Sequence, residues 1–403
     1  MGKKIKIMKK SFYPLIENPY RNKDIIEGIK ILKSKKLTIG PKTDEFQKYF
    51  SKILKTKFST MVNSGSSANL LAFQCLINPY RKNRLKPGDE VLIPSVCWST
   101  SLWPIIQSGL KPKFVDVDLQ SLNIDLNDLK KKISRKTKAI LIVHVLGNCV
   151  DMSKFMQIIK KHKLILIEDT CESLGTKYKN KYLGSFGDFS SFSFYSSHQI
   201  SSGEGGMICC KSNADYEIIK SLRAHGWSRG LKDEKKIALA NKHLDKRFIF
   251  YNSGYNLRPT DITASIGLSQ FKDLNKFIKQ RSKNRSKILK NFKENYKLSK
   301  VLTFIEANRH VKPHWFGIPV LLSKKINRNK FLKKIEKEGV ETRPIISGNF
   351  LKQPSIKKYK LRIKVKFKNS DLINNHGFFI GLPTNNITDK KIKKLVSIFE
   401  KSI

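Results

Sequence analysis

From about residue 60 to about residue 210, short apolar runs alternate with amphipathic segments. STMVN, EVLIP, PKFVDVD, KAILIVHVL, KLILIED, FSSFSFY and GMICC read as strands. Several lack two-residue alternation, as expected of strands buried on both faces. Helical patterns such as Ser66–Leu76 and Met152–Lys161 separate them. Strands alternating with helices predict an α/β fold with a large, doubly wound, mainly parallel sheet. Ligands of such sheets bind beyond the carboxyl ends of the strands. A long helical pattern, from about Thr260 to about Tyr296, then leads into a second region. That region holds the strands HWFGIPVLL and HGFFIGLP and a helix over Asn329–Glu338. The pattern predicts a large domain over 1–270, including an N-terminal helical segment, and a smaller α+β domain over 271–403.

Composition narrows the class. The chain has 403 residues, 39% of them hydrophobic, an ordinary value for a globular protein. No apolar run is long enough to span a bilayer. The basic start, MGKKIKIMKKSFYPL, is not followed by an apolar core of secretory type, so the expected location is the cytoplasm. The formal charge is +48, from 80 basic and 32 acidic side chains. Lysine is scattered over nearly every helix and loop, which describes a solvated basic surface and no specific nucleic-acid site. Cys75, Cys97, Cys149, Cys171, Cys209 and Cys210 form no CxxC pair and no zinc spacing with histidine, so free thiols and no metal are expected.

Three motifs follow strand ends. Asn63-Ser64-Gly65-Ser66-Ser67-Ala68-Asn69 lies between a strand and a helix. A helix N-terminus with small and hydroxyl residues presents free backbone N–H groups to an anion, although the same residues also serve as an ordinary N-cap. Asp169, in Ile167-Glu168-Asp169-Thr170-Cys171-Glu172, ends an apolar run. It is placed either to pair with a bound ligand or to cap the next helix. The third motif runs from Ser193 to Gly206 and carries His198 between a strand and a Gly-rich turn. An isolated histidine is more often structural than chemical, and context must decide.

That context is a resemblance. LTIGPKTDEFQKYF, MVNSGSSANLLA, IPSVCWSTSLWPIIQSGLKPKFVDVD, IEDTCESLG, SFSFYSSHQISSGEGG and GYNLRPTDITASIGLSQF occur in this order. Together they resemble the DegT/DnrJ/EryC1/StrS sugar aminotransferase family, over most of the chain from about Leu37. The resemblance implies the aspartate aminotransferase fold and a vitamin B6 cofactor in the large domain. It implies that Gly65, Ser66 and Ser193 bind the cofactor phosphate and that Trp98 stacks on the pyridine. Asp169 would pair with the ring nitrogen, and Glu172 would lie near the ring hydroxyl. Asn256 would reach the phosphate of a neighbouring subunit, which implies a homodimer.

One position departs from the family pattern. Its aminotransferases read S-F-x-x-x-K-N-I-T-T-G-E-G-G, and here His198 stands in place of the lysine that bonds covalently to the cofactor. Histidine cannot form that bond stably, but it suits reversible proton transfer near neutral pH. Such a change marks the family's 3-dehydratase branch. Ser197-His198, Arg223-Ala224-His225-Gly226-Trp227-Ser228-Arg229 and Gly348-Asn349-Phe350-Leu351-Lys352-Gln353-Pro354 also match that branch. The branch implies pyridoxamine or pyridoxal 5′-phosphate held non-covalently, with His198 and Asp169 as the catalytic pair. The implied substrate is a nucleotide-linked 4-keto-6-deoxy sugar, with L-glutamate as amino donor and dideoxysugars for surface polysaccharide as the purpose. An iron–sulfur dehydrase would need a group of cysteines beyond Cys210, and the chain has none there. A true aminotransferase would need the lysine. A cofactor-binding homologue without activity is the remaining alternative.

Overall fold

The computed structural model describes residues 11–359, 361 and 365–403. The reading of the first ten residues as lacking a leader lies outside them. Seven strands form the large sheet: β1 (Phe58–Val62), β2 (Glu90–Pro94), β3 (Lys111–Val115), β4 (Thr137–Val143), β5 (Ile165–Asp169), β6 (Phe189–Ser193) and β7 (Gly206–Cys210). They are the seven runs read from the sequence. Their order is β1-β7-β6-β5-β4-β2-β3. β7 is antiparallel to β1 and β6, and the remaining pairs are parallel. β6 and β7 are buried along their whole length, because layers cover both faces.

The helix Gly65–Leu76 shows why the site can lie so deep. Leu71, Ala72, Phe73, Cys75 and Leu76 are all buried, as are Ser67, Ala68 and Asn69 nearer its start. A helix apolar nearly all round belongs in an interior, and its N-terminus opens directly at the strand ends.

A second sheet is antiparallel throughout: β8 (Leu302–Phe304), β9 (Gly317–Leu322), β10 (Thr342–Arg343) and β11 (Gly377–Gly381), ordered β8-β9-β11-β10. The chain's first described residues reach across to it. Tyr13 bridges Val340, and its hydroxyl donates to Gly381 O at 3.0 Å. A Cβ at position 381 would lie 2.4 Å from Leu15 O, so only glycine admits that crossing.

One element differs from expectation. The continuous helical pattern over Thr260–Tyr296 divides into Asp261–Phe271 and Leu274–Glu294. Asp273 sits at the break, and its carboxylate is held by Arg21 and Lys23 from the N-terminal segment. Aspartate is a poor helix former, and these long-range ion pairs hold it outside the helix. Among the described residues, no helix is long and apolar enough to cross a membrane.

Candidate active site

The strand ends converge on a cavity of about 460 Å³. Its walls include Gly65, Ser66, Trp98, Asp169, Glu172, Ser193 and His198. Seven of the eight residues singled out from the sequence therefore meet in one place.

At one end lies the N-terminus of helix Gly65–Leu76. Ser64 caps it, accepting from Ser67 N at 3.1 Å. A Cβ at Gly65 would fall 2.6 Å from Ser193 Cβ and 2.8 Å from Cys171 Sγ. Only glycine lets the helix start this close to β5 and β6. Ser66 Oγ lies 2.8 Å from Thr100 Oγ1, and Thr100 also lines the cavity. Free N–H groups, hydroxyls and the helix dipole make this end an anion cradle.

Asp169 ends β5 and is almost fully buried. Its Oδ2 accepts from Asn69 Nδ2 at 2.8 Å and Ser101 Oγ at 2.7 Å, and Oδ1 accepts from Cys171 N at 3.2 Å. These donors fix the carboxylate in one orientation at the cavity wall. Trp98 immediately precedes helix Ser99–Gln107; the residue is 57% exposed and lines the cavity, where its ring can cover a planar ligand. Glu172 accepts from Leu146 N at 3.0 Å, and burial pushes its carboxyl up to about 7. Near neutral pH it is divided between acid and carboxylate.

His198 is half-buried at the cavity wall. Its Nδ1 lies 2.6 Å from Cys171 O. A carbonyl only accepts, so Nδ1 carries the proton and Nε2 keeps a lone pair. Tyr195 and Phe316 meet the ring edge to face, with centroids 6.1 and 5.3 Å away. Burial is the largest influence on its pKa, which falls to about 4. The ring is thus neutral, able to accept a proton, at physiological pH. None of the described residues lining the cavity is a lysine.

Asn256 does not line this cavity. It is exposed, pairs across a bridge with Ala224, and accepts from Arg258 Nε at 3.0 Å. All six cysteines are unpaired, and Cys171 alone among them lines the cavity. Sequence reasoning missed Asn69, Thr100, Ser101 and Arg343. Asn69 stands one helical turn beyond Gly65, a spacing that puts both on one helix face and could have marked it. Arg343 ends β10 and brings a guanidinium to the cavity from a distant part of the chain.

The arrangement fits a pyridine ring carrying a phosphate. The glycine-dependent cradle matches the phosphate, buried Asp169 matches a protonated ring nitrogen, and exposed Trp98 matches the ring face. A profile of the DegT/DnrJ/EryC1/StrS aminotransferase family matches residues 20–400. GDP-4-keto-6-deoxy-D-mannose 3-dehydratase of Escherichia coli O55:H7 is 36% identical over 375 residues, 92% of this chain and 95% of that protein. The solved E. coli GDP-4-keto-6-deoxy-D-mannose-3-dehydratase with bound hydrated PLP superposes with a TM-score of 0.89 at 34% identity, covering 97% of this chain and 100% of that one. A second structure of GDP-4-keto-6-deoxymannose-3-dehydratase, with a trapped PLP-glutamate geminal diamine, gives 0.88 at 34% identity, covering 96% and 100%.

Proposed function

The chain belongs to the DegT/DnrJ/EryC1/StrS aminotransferase family, and we propose that it is a pyridoxamine-phosphate-dependent 3-dehydratase of a nucleotide-linked 4-keto-6-deoxyhexose, serving dideoxysugar synthesis for surface polysaccharide. The observation that carries this reading is His198, with Nε2 free at a cavity that has no lysine among its described lining residues. GDP-4-keto-6-deoxymannose is the first substrate to test, given the relatives above.

When bound, the cofactor supplies an amine that condenses with the sugar's C4 ketone and a ring that withdraws electrons. Gly65, Ser66 and Ser193 hold its phosphate. Asp169 keeps its ring nitrogen protonated, Trp98 covers its face, and Glu172 lies by its hydroxyl. His198 Nε2 takes a proton from the carbon attached to the ring and delivers one to the departing C3 hydroxyl. A neutral imidazole suits the first step, and the imidazolium it becomes suits the second. Overall the sugar exchanges its C3 hydroxyl for hydrogen. The two electrons come from the donor, L-glutamate, whose α-carbon is oxidised to the ketone of the 2-oxo acid while its nitrogen leaves as ammonia.

Two further assignments belong to the same proposal. Asn256 completes the phosphate site of a second copy, so the active form is a homodimer. Its exposed position outside its own chain's cavity supports this. The boundary between a cofactor-binding domain and a smaller one falls at 270/271; every strand of the large sheet precedes residue 211, and every strand of the four-stranded sheet follows residue 301.

The test is purified protein with cofactor, L-glutamate and GDP-4-keto-6-deoxymannose, with products read by mass spectrometry. Loss of one oxygen from the sugar together with ammonia release is expected. An aminated sugar retaining its C3 oxygen would contradict the proposal.

A further inference from the structure

His198 lines two cavities. The second, of about 210 Å³, lies among the N-terminal segment 15–22, the turn 382–385 and helix Leu274–Glu294. Four of its lining residues carry a formal charge or a titratable imidazole: Glu17, Arg21, His198 and Arg281. Glu17 is paired with Lys391, and Arg21 with Asp24 and Asp273. His198 is neutral, as shown above. Arg281 is left over.

Arg281 is only 6% exposed, yet among the described residues no carboxylate pairs with it. Its one hydrogen bond is long, Nη1 to Trp315 O at 3.4 Å, and its buried Nε has no partner. One helical turn further on, Arg285 shows the usual solution. It pairs with Glu306 at 3.0 Å and lies over the Trp315 ring at 4.4 Å. Nor does the neighbourhood offset Arg281. His314 is wholly buried, and burial with the Arg281 charge drives its pKa down to about 3. A second wall residue, Gln199, has a buried Oε1 without a partner. A buried cation without a counter-charge is costly, and buried polar atoms are normally satisfied by protein, water or ligand.

We infer that the cavity behind His198 is an oxyanion site, with Arg281 as its cation and, at its wall, the Tyr20 and Ser201 hydroxyls, which lie 2.9 Å apart in one hydrogen bond and leave one hydroxyl proton to donate, taking a small carboxylate or inorganic oxyanion. Two sources share that chemistry. One is a carboxylate group of the amino donor, whose amine must react close to His198; this arm rests on the function proposed above. The other is a free anion that neutralises Arg281 and stays in place.

The experiment uses cofactor-loaded protein, so that the phosphate cradle of the main cavity is already filled. Thermal unfolding is followed against succinate and against inorganic phosphate at constant ionic strength. In parallel, L-glutamate is titrated into the aldehyde form of the cofactor and the absorbance change is read. The wild type should be stabilised saturably by succinate or phosphate, R281M should lose the response, and R281K should keep a weakened one. If the donor is the source, R281M should also need about tenfold or more glutamate for half-maximal change, as expected for one lost charge-assisted contact. An unchanged glutamate requirement with a lost anion response assigns the site to a free anion. A wild type without saturable response, combined with unaltered glutamate use in R281M, overturns the inference, as does an anion response identical in wild type and R281M. Should R281M fail to fold, wild type and R281K decide, since an identical response in R281K also overturns it. A protein without dehydratase activity still answers the succinate and phosphate arm.

Discussion

Strand β5 ends in two adjacent carboxylates that belong to different worlds. Successive side chains of a strand point to opposite faces. On one face Glu168 Oε2 lies 3.0 Å from His144 Nε2, with both side chains fully buried. Glu168 also accepts the N–H groups of Gly184, Phe186 and Gly187 at 2.9, 2.8 and 2.6 Å. Burial disfavours its charge, but His144 and those backbone donors hold its carboxyl below the usual range. On the other face Asp169 and His198 share a cavity, and no carboxylate among the described residues pairs with His198. Its Nδ1 spends its proton on a backbone carbonyl, and Nε2 stays open. An acid and a histidine side by side therefore say little about chemistry. The sealed pair ties the loop 184–187 to the sheet; the open one can move a proton.

The comparison breaks most violently on the sealed side. Glu168→Ala strands His144 and three backbone donors in the interior. We expect a loss of about 3–5 kcal/mol in denaturant unfolding, the cost of removing one partner of a buried pair. A loss below about 1 kcal/mol would make the pair incidental. On the open side the effect should appear in rate instead. Asp169→Asn weakens the electron sink, and kcat should fall about 10²- to 10³-fold while the fold persists. Near-normal turnover would reduce Asp169 to a cap for the turn at Cys171.

Asn256 tests whether the open side needs a second chain. Asn256→Ala should weaken cofactor retention about tenfold, roughly 1.4 kcal/mol, with little change in unfolding midpoint. Sedimentation of a fully active monomer would remove the partner from the site altogether. A further effect is a pH dependence of stability. Unfolded, His198 takes a proton near 6.5; folded, only near 4. The unfolded chain binds more protons between those values, so His198 makes the cofactor-free protein less stable as pH falls from about 6.5 to about 4. His314 acts in the same direction over a range extending to about 3. Glu172 acts oppositely, since its native carboxyl keeps a proton up to about 7 and stability falls as pH rises from about 4.5. His198→Asn should therefore flatten the acid limb without abolishing it, as measured by thermal unfolding across pH.

Much of this was legible in the sequence, for definite reasons. Several strands of the large sheet, such as β2, β4 and β7, are largely continuous apolar runs, and burial on both faces is what makes such runs visible. The residues meeting at the main cavity were legible because they sit in ordered blocks around one histidine. The Glu168–His144 pair was not, because strand alternation reveals opposite faces but not what lies across them. Ser101 and Arg343 also reach the site through tertiary contacts that no local pattern encodes. The helix break at Lys272–Asp273 depends on Arg21 and Lys23, some 250 positions away. Arg281 is the instructive case. In FIKQRSKNRSK it looks like one more solvated charge. Yet it falls in the helical phase of Phe277, Ile288 and Phe292, which are all buried, so its position among apolar neighbours was there to be read.

The central claim is that His198 is the base and that its presence in place of lysine sets the reaction. The direct measurement compares ammonia release from GDP-4-keto-6-deoxymannose and glutamate by wild type, His198→Asn and the Ser197→Asn/His198→Lys double variant, with borohydride fixation of cofactor as a second readout. Wild type should release ammonia without fixing cofactor. His198→Asn should lose at least about 10²-fold in rate, the lower end of what a general base contributes, and still fix none. The double variant should fix the cofactor and lose dehydration. Ammonia release at the wild-type rate from His198→Asn would contradict the account and return His198 to a structural role beside Cys171.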